Sequence, residues 1–266
     1  MISKQGNTTM KRLCDLLFEL SNEDRLLILH SLSGQPRNLT ALSKALGQKI
    51  QETSRNTSRL CEAKLIGRDP NGSYSLTPLG EGVLKLLDGY RFLSEHSEYF
   101  STHTLRDIPG EFVDRLGALF YAEQPREVIS TLSRNEKMVA EAEEYVLSIG
   151  DSILMSYISL EIDSVLRGVS NRTIFTRGID WSPEIKAELN REEKVLEATG
   201  MRKFLEFRYV DRVDVYMMMS EKEVAGITFR TLDGVFDHIH FSGKDPRFHG
   251  WCKDLFEYYW SRSRPA

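Results

Sequence analysis

The dipeptide Asn71-Gly72 constrains this chain more than any other feature. It lies between two short runs, Leu65-Ile66-Gly67-Arg68 and Ser73-Tyr74-Ser75-Leu76. An Asn-Gly pair between such runs is a strong hairpin signal, because Gly and Asn tolerate the positive φ that tight turns require. Four helical patterns precede it. Met10 to Leu20 carries Leu13, Leu16, Leu17 and Leu20 at helical spacing, and Arg25 to Leu32 follows the capping residues Ser21-Asn22-Glu23-Asp24. Leu39 to Leu46 is a short helix closed by Gly47. Ile50 to Lys64 is a longer one with a thin inner face of Thr53, Thr57, Leu60 and Cys61. After the hairpin, Thr77-Pro78 opens a long helix expected to reach about Phe100, since Pro is tolerated in a first turn.

Helix, helix, short helix, helix and hairpin within eighty residues is the element order of a winged helix-turn-helix. In that arrangement the fourth helix enters the major groove of duplex DNA. Its outer face therefore needs hydrogen-bonding side chains without an apolar ridge. Gln51, Ser54, Arg55, Asn56, Ser58 and Arg59 supply them, with Arg suited to guanine edges and Gln or Asn to adenine. Ser and the remaining Arg suit phosphate oxygens. Arg68, Asn71 and Ser73 at the hairpin tip are placed to reach the neighbouring backbone. The charge pattern agrees. Residues 1–80 hold 11 Lys/Arg against 7 Asp/Glu, a balance of +4, while the rest of the chain carries −8, for an overall −4. A cationic module on an acidic body suits polyanion binding.

These residues also carry a resemblance. Leu42-Ser43-Lys44-Ala45-Leu46-Gly47, followed by Ser54-Arg55-Asn56-Thr57-Ser58-Arg59-Leu60-Cys61-Glu62-Ala63-Lys64-Leu65-Ile66, resembles the recognition-helix run of ArsR-like winged-helix repressors. It departs from them at Lys64, where they often have Gly, and it lacks their metal-binding cysteine pairs. His103-Thr104-Leu105-Arg106-Asp107-Ile108-Pro109, with Phe112 and Arg115-Leu116-Gly117, resembles the start of the middle domain of archaeal FilR-type methanogenesis regulators. Leu255-Phe256-Glu257-Tyr258-Tyr259-Trp260 is similar to the end of those proteins and of TrmB-like regulators. The resemblance implies an archaeal, cytoplasmic, homodimeric transcription regulator. It also implies a sensor domain distantly similar to the phospholipase D fold.

The remainder of the chain reads as mixed α/β. Helical patterns cover Glu111 to Phe120, Arg134 to Ile149, Leu160 to Arg167 and Pro183 to Thr199. Strand patterns cover Arg172 to Thr176, Leu205 to Tyr209, Val213 to Ser220, Glu223 to Arg230 and Val235 to Ser242. An aromatic helix from Pro246 to Arg262 closes the chain, its Trp251, Leu255 and Tyr259 expected to dock on a sheet. Arg177 and Trp181 follow a strand, a position where α/β proteins gather ligands. With Arg230, His238 and His240 they are the candidate contacts for a small anionic effector. The phospholipase D comparison also draws attention to His238, His240 and Asp245. These repeat the spacing of a His-Lys-Asp phosphodiesterase motif with His in place of Lys, and the motif has no second copy.

Three widely spaced cysteines, Cys14, Cys61 and Cys252, offer neither a disulfide framework nor a zinc cluster. No stretch approaches a transmembrane span and no apolar leader is seen, so a cytoplasmic location is expected. The expected fold class is α+β: a winged helix-turn-helix over 1–78, a linker and dimerisation helix over 79–105, and an α/β sensor over 106–266. The expected function is a homodimeric DNA-binding regulator that is not an enzyme, uses no cofactor or metal, and responds to a small molecule. A phosphodiesterase or nuclease at His238, His240 and Asp245, and a protein–protein adaptor, are the alternatives.

Overall fold

The computed structural model describes residues 4–125, 128–237 and 239–265. The chain is α+β and separates into two compact units, 1–88 and 89–266.

The first unit contains α1 (Lys4–Leu20), α2 (Glu23–Leu32), β1 (Arg37–Asn38), α3 (Leu39–Leu46), α4 (Ile50–Glu62), β2 (Ile66–Arg68) and β3 (Ser73–Leu76). It ends within α5 (Pro78–Glu95). The strands form an antiparallel sheet in the order β1-β3-β2. The hairpin of β2 and β3 is the one expected from the sequence, and β1 adds a third strand to it that the sequence did not mark. Local chemistry sets the boundaries. The Asn22 side chain caps α2 by accepting from the Arg25 amide at 3.0 Å, and Asn38 caps α3 through the Ala41 amide at 2.8 Å. Gly47, at φ 63°, ends α3. Leu29, Leu42, Leu60 and Leu65 are fully buried in the core.

The C-terminus of α4 is closed by paired reverse hydrogen bonds, Leu65 N–H to Leu60 O and Lys64 N–H to Cys61 O, both 2.9 Å. This geometry forces its second residue into the left-handed region, and Lys64 occupies it at φ 60°. The departure noted at Lys64 is therefore a non-glycine residue in a glycine conformation.

The second unit continues α5 and adds α6 (Ser97–Thr102), α7 (Gly110–Val113), α8 (Val128–Glu141), β4 (Tyr145–Gly150), α9 (Met155–Leu166), β5 (Ser170–Thr176) and α10 (Pro183–Thr199). Then come β6 (Leu205–Val210), β7 (Val215–Ser220), β8 (Val224–Phe229), β9 (Phe241–Gly243), α11 (Pro246–Arg262) and β10 (Arg264–Pro265). One sheet has the order β10-β6-β5-β4-β7-β8-β9. Strands β4, β5 and β6 are parallel, and the remaining pairings are antiparallel. Alternate residues of the central strands face opposite sides. Leu147, Ile149, Met217 and Ile227 pack with Trp251, Leu255 and Phe256 of α11. Val146, Met218 and Ala225 pack with Met138 and Val139 of α8. On the latter face, α9 contributes Ile162 and Val165 to a smaller cluster with Leu196 of α10.

Three sequence expectations need correction. The helix over Arg134 to Ile149 is α8 followed by β4, because β-prone Tyr145-Val146-Leu147 takes the central strand position. The strand over Val235 to Ser242 is confined to Phe241–Gly243, so His240 precedes the strand rather than alternating along it. The long helix breaks at His96, between α5 and α6.

Candidate nucleic-acid interface

α4 meets the core through Thr53, Thr57 and Leu60, each fully buried. The two threonines satisfy their hydroxyls on the helix itself. Thr53 Oγ1 donates to Lys49 O at 3.2 Å and Thr57 Oγ1 to Ser54 O at 3.0 Å. At about 100° per residue, this anchoring turns Gln51, Arg55 and Ser58 outward within about 60° of one another. All three are exposed. Ser54 lies on one flank and is half-buried. Asn56 is also half-buried and is turned toward the anchoring side, away from the outer stripe. Ser58 donates its hydroxyl to Ser54 O at 2.9 Å, leaving its lone pairs facing outward. Arg59 is already engaged: its Nε and Nη2 donate to the two carboxylate oxygens of Glu19, at 3.0 and 2.6 Å. Its guanidinium also lies 5.3 Å from the Phe18 ring centroid. That hydrogen bond, ahead of Coulomb attraction, holds Glu19 below its ordinary carboxylate range.

The hairpin turns over Asp69 to Gly72. Asp69 closes it, its carboxylate accepting from Ser73 N–H at 2.8 Å and its carbonyl from Gly72 N–H at 3.0 Å. Gly72 takes φ 85°, a conformation a Cβ would strain. Arg68 lies 5.5 Å from the Tyr74 ring centroid, and Asn71 is exposed at the tip. Two cations went unremarked in the sequence reading. Lys49 caps the N-terminus of α4 and Lys44 lies in the last turn of α3, and both are exposed; at a helix N-terminus, backbone amides and a basic side chain together favour phosphate. The α3–α4 turn contained the signal, but only the turn geometry places it at the helix N-terminus.

The four described effector candidates of the second unit, Arg177, Trp181, Arg230 and His240, do not converge on one site. Arg177 lines a groove of about 310 Å³ with Tyr209, Asp211, Arg212, Asp214 and Tyr259, and pairs with Asp211 at 3.6 Å. Trp181 meets Phe175 edge to face at 5.1 Å. Arg230 is spent internally, donating to Val213 O at 2.7 Å and to Gly234 O, and lies 3.8 Å from Asp151. His240 is buried and lines a different cavity with Asp237. His238 lies outside the described residues. Asp245, the third member of the phosphodiesterase-like spacing, caps α11 by accepting from Arg247 N–H at 2.9 Å and Phe248 N–H at 3.3 Å. Among the described residues, no group of three or more metal-ligating side chains is gathered, and no helix is long and apolar enough to cross a membrane.

No protein-family model and no curated protein matches the chain. Among solved structures it is similar to TrmBL2, an archaeal chromatin protein, at 17% identity and a TM-score of 0.43, over 92% of this chain and 94% of that one. It is also similar to Nuc of Salmonella typhimurium, a phospholipase D family member, at 10% identity and a TM-score of 0.38 over 51% of this chain and 90% of that one. A dimethyltransferase from Streptomyces davawensis aligns at 14% identity and a TM-score of 0.28, over 78% of this chain and 65% of that one.

Proposed function

We propose that the chain is a DNA-binding transcription regulator that works as a homodimer, with the second unit as its effector-responsive part. One observation carries this reading: α4 buries Thr53, Thr57 and Leu60 and presents Gln51, Arg55 and Ser58, a polar ridge without a large apolar side chain. Gln51 and Arg55 read base edges in the major groove. Lys44, Lys49, Ser54 and the hairpin tip hold phosphates. Asn56 takes a lesser part, and Arg59 takes part after leaving Glu19.

A single winged helix makes few base contacts, so two copies on a nearly palindromic site are needed for specificity. The apolar side chains for pairing are at hand. Met10, Leu13 and Leu17 recur at helical spacing on α1, and all three are exposed, as are Leu79 and Leu86 of α5.

The test is fluorescence anisotropy of the purified protein on random-sequence duplexes at several salt concentrations. Affinity should fall steeply with salt, and Arg55→Ala should weaken it by about tenfold or more. Salt-independent affinity, or none, would return the first unit to the role of a protein–protein adaptor.

A further inference from the structure

On the α9 side of the sheet, two adjoining chambers share Ser152, Tyr157 and Tyr216 as walls. The inner one, about 20 Å³, is lined by Ser148, Thr173 and Glu161 among others. That is room for one water-sized group. The outer one, about 140 Å³, adds Leu154, Phe236 and Asn135.

The polar groups of the inner chamber are unusual. Ser148 of β4 and Thr173 of β5 are register partners on neighbouring strands, and both side chains are buried. Neither hydroxyl has a hydrogen-bond partner among the described residues, and the same holds for Asn135 Oδ1 at the outer chamber. Glu161 comes down from α9 and is 6% exposed. No ion pair or hydrogen bond joins its carboxyl to another described residue, and burial alone pushes it up to about 7. The surroundings add negative charge. Burial first, then Tyr157, Glu161 and Asp151, hold the Tyr216 phenol above its ordinary range. Among the described residues lining the two chambers there is no Lys or Arg. The closest guanidinium noted, Arg230, is tied to backbone carbonyls, faces Asp151 at 3.8 Å and lies 4.3 Å from the Phe236 ring centroid at the outer chamber's wall.

What the inner chamber offers is one carboxyl and two hydroxyls whose oxygens can all accept, beside the phenol rings of Tyr157 and Tyr216. We infer that this cavity binds a small organic molecule through a primary ammonium group, seated on Glu161, Ser148 and Thr173. An ammonium carries three donors and no acceptor, and Glu161, Ser148 and Thr173 can each accept one of them. Tyr157 and Tyr216 supply ring faces that favour a cation, and the outer chamber's Leu154 and Phe236 cover an apolar remainder. An anion would meet Glu161 and Asp237, while the nearby Arg230 is held by Val213 O, Gly234 O and Asp151. The site therefore reverses the anionic effector expected from Arg230 and the histidines. It is read without DNA, so it stands or falls independently of the proposed regulator function.

The experiment is calorimetric titration of the whole protein at about pH 8, where Glu161 is ionised, with butylammonium and phenethylammonium chloride. Glucose, sodium acetate and potassium chloride are the comparison arms. Saturable binding of an ammonium probe, with about tenfold loss in Glu161→Gln, supports the site. Thr173→Val keeps the side chain's shape while removing its hydroxyl, and should weaken binding about threefold or more. A far-ultraviolet circular dichroism melt establishes that each variant is folded. The inference is overturned by no binding of either probe up to about 10 mM, or by equal affinity in a folded Glu161→Gln. Preference for glucose, acetate or potassium over both ammonium probes also overturns it.

Discussion

Arg59 on α4 and Glu19 near the end of α1 form a two-pronged ion pair, Nε to Oε2 at 3.0 Å and Nη2 to Oε1 at 2.6 Å. The pair occupies the residue that the sequence offers as a phosphate contact, so DNA must compete with Glu19 for it. Glu19→Gln weakens the grip while preserving the shape. Non-specific duplex affinity should then rise about twofold to tenfold at low salt. The slope of log K against log salt should steepen by about 0.9 for one added phosphate contact. Arg59→Ala in the intact background should cost less affinity than Arg55→Ala. Anisotropy titrations over a salt series check both, and an unchanged slope in Glu19→Gln would place Arg59 outside the interface.

Lys64 and Gly80 should respond to substitution with opposite signs. Lys64 sits at φ 60°, where a Cβ is disfavoured and Gly is free. Lys64→Gly should therefore stabilise the first unit by up to about 1 kcal/mol, less whatever the extra freedom of the unfolded chain removes. Gly80 lies in the first turn of α5, its amide donating to Thr77 Oγ1 at 3.1 Å. A Cβ there would overlap the Leu65 carbonyl oxygen. Gly80→Ala should cost about 2–3 kcal/mol, because backbone rather than a movable side chain must give way. Urea melts of the isolated variants measure both, and equal effects would contradict the geometry.

The first unit was legible in the sequence because its signals are local. Asn22 and Gly47 mark helix ends, Gly72 marks the turn, and the Thr53, Thr57, Leu60 spacing fixes which face of α4 turns outward, while the Asn38 cap and β1 went unread. The departure at Lys64 marked a real backbone peculiarity. The second unit was legible where a strand or helix is bounded by its own turn residues, as in Pro183–Thr199 and Pro246–Arg262. It failed at β4, since an apolar run after an amphipathic helix has no local mark of where the helix yields to a buried strand. The same failure hid the Glu161 cavity. Ser148 and Thr173 become neighbours only through parallel pairing of β4 with β5, and a single Glu on a helical pattern reads as surface. For the interface, sequence spacing found the outward stripe but could not foresee that Glu19, forty positions away, holds Arg59.

Pairing of two copies should depend on the exposed apolar side of α1. Leu13 and Leu17 are each 47% exposed and lie one turn apart, with Met10 a further turn back. Their burial between two copies would repay ordering the seam. Leu13→Asp with Leu17→Asp replaces exposed side chains and leaves the buried Leu20 itself unchanged. The doubly substituted protein should elute as a monomer by light scattering and lose specific DNA affinity by far more than non-specific affinity. A dimer that survives both substitutions would move the seam elsewhere.

Glu161 should make stability fall as pH rises. Its carboxyl has a folded pKa of about 7, raised by burial from an ordinary value of 4.5. Below about pH 4.5 the group is neutral in both folded and unfolded chains and costs nothing. Between about 4.5 and 7 the unfolded chain ionises first, so the unfolded state gains. Above about pH 7 the folded chain carries a buried charge, and the penalty levels off at on the order of 3 kcal/mol. Glu161→Gln removes the ionisation while keeping the shape. It should raise the melting temperature by about 5–10 °C at pH 8 and by almost nothing at pH 4.5. Thermal melts of both proteins across that range give the difference curve. A gain that is flat with pH would mean that Gln improves packing rather than removing a charge. A difference that grows toward acid would mean that the carboxylate is stabilised in the fold, contrary to the burial that surrounds it.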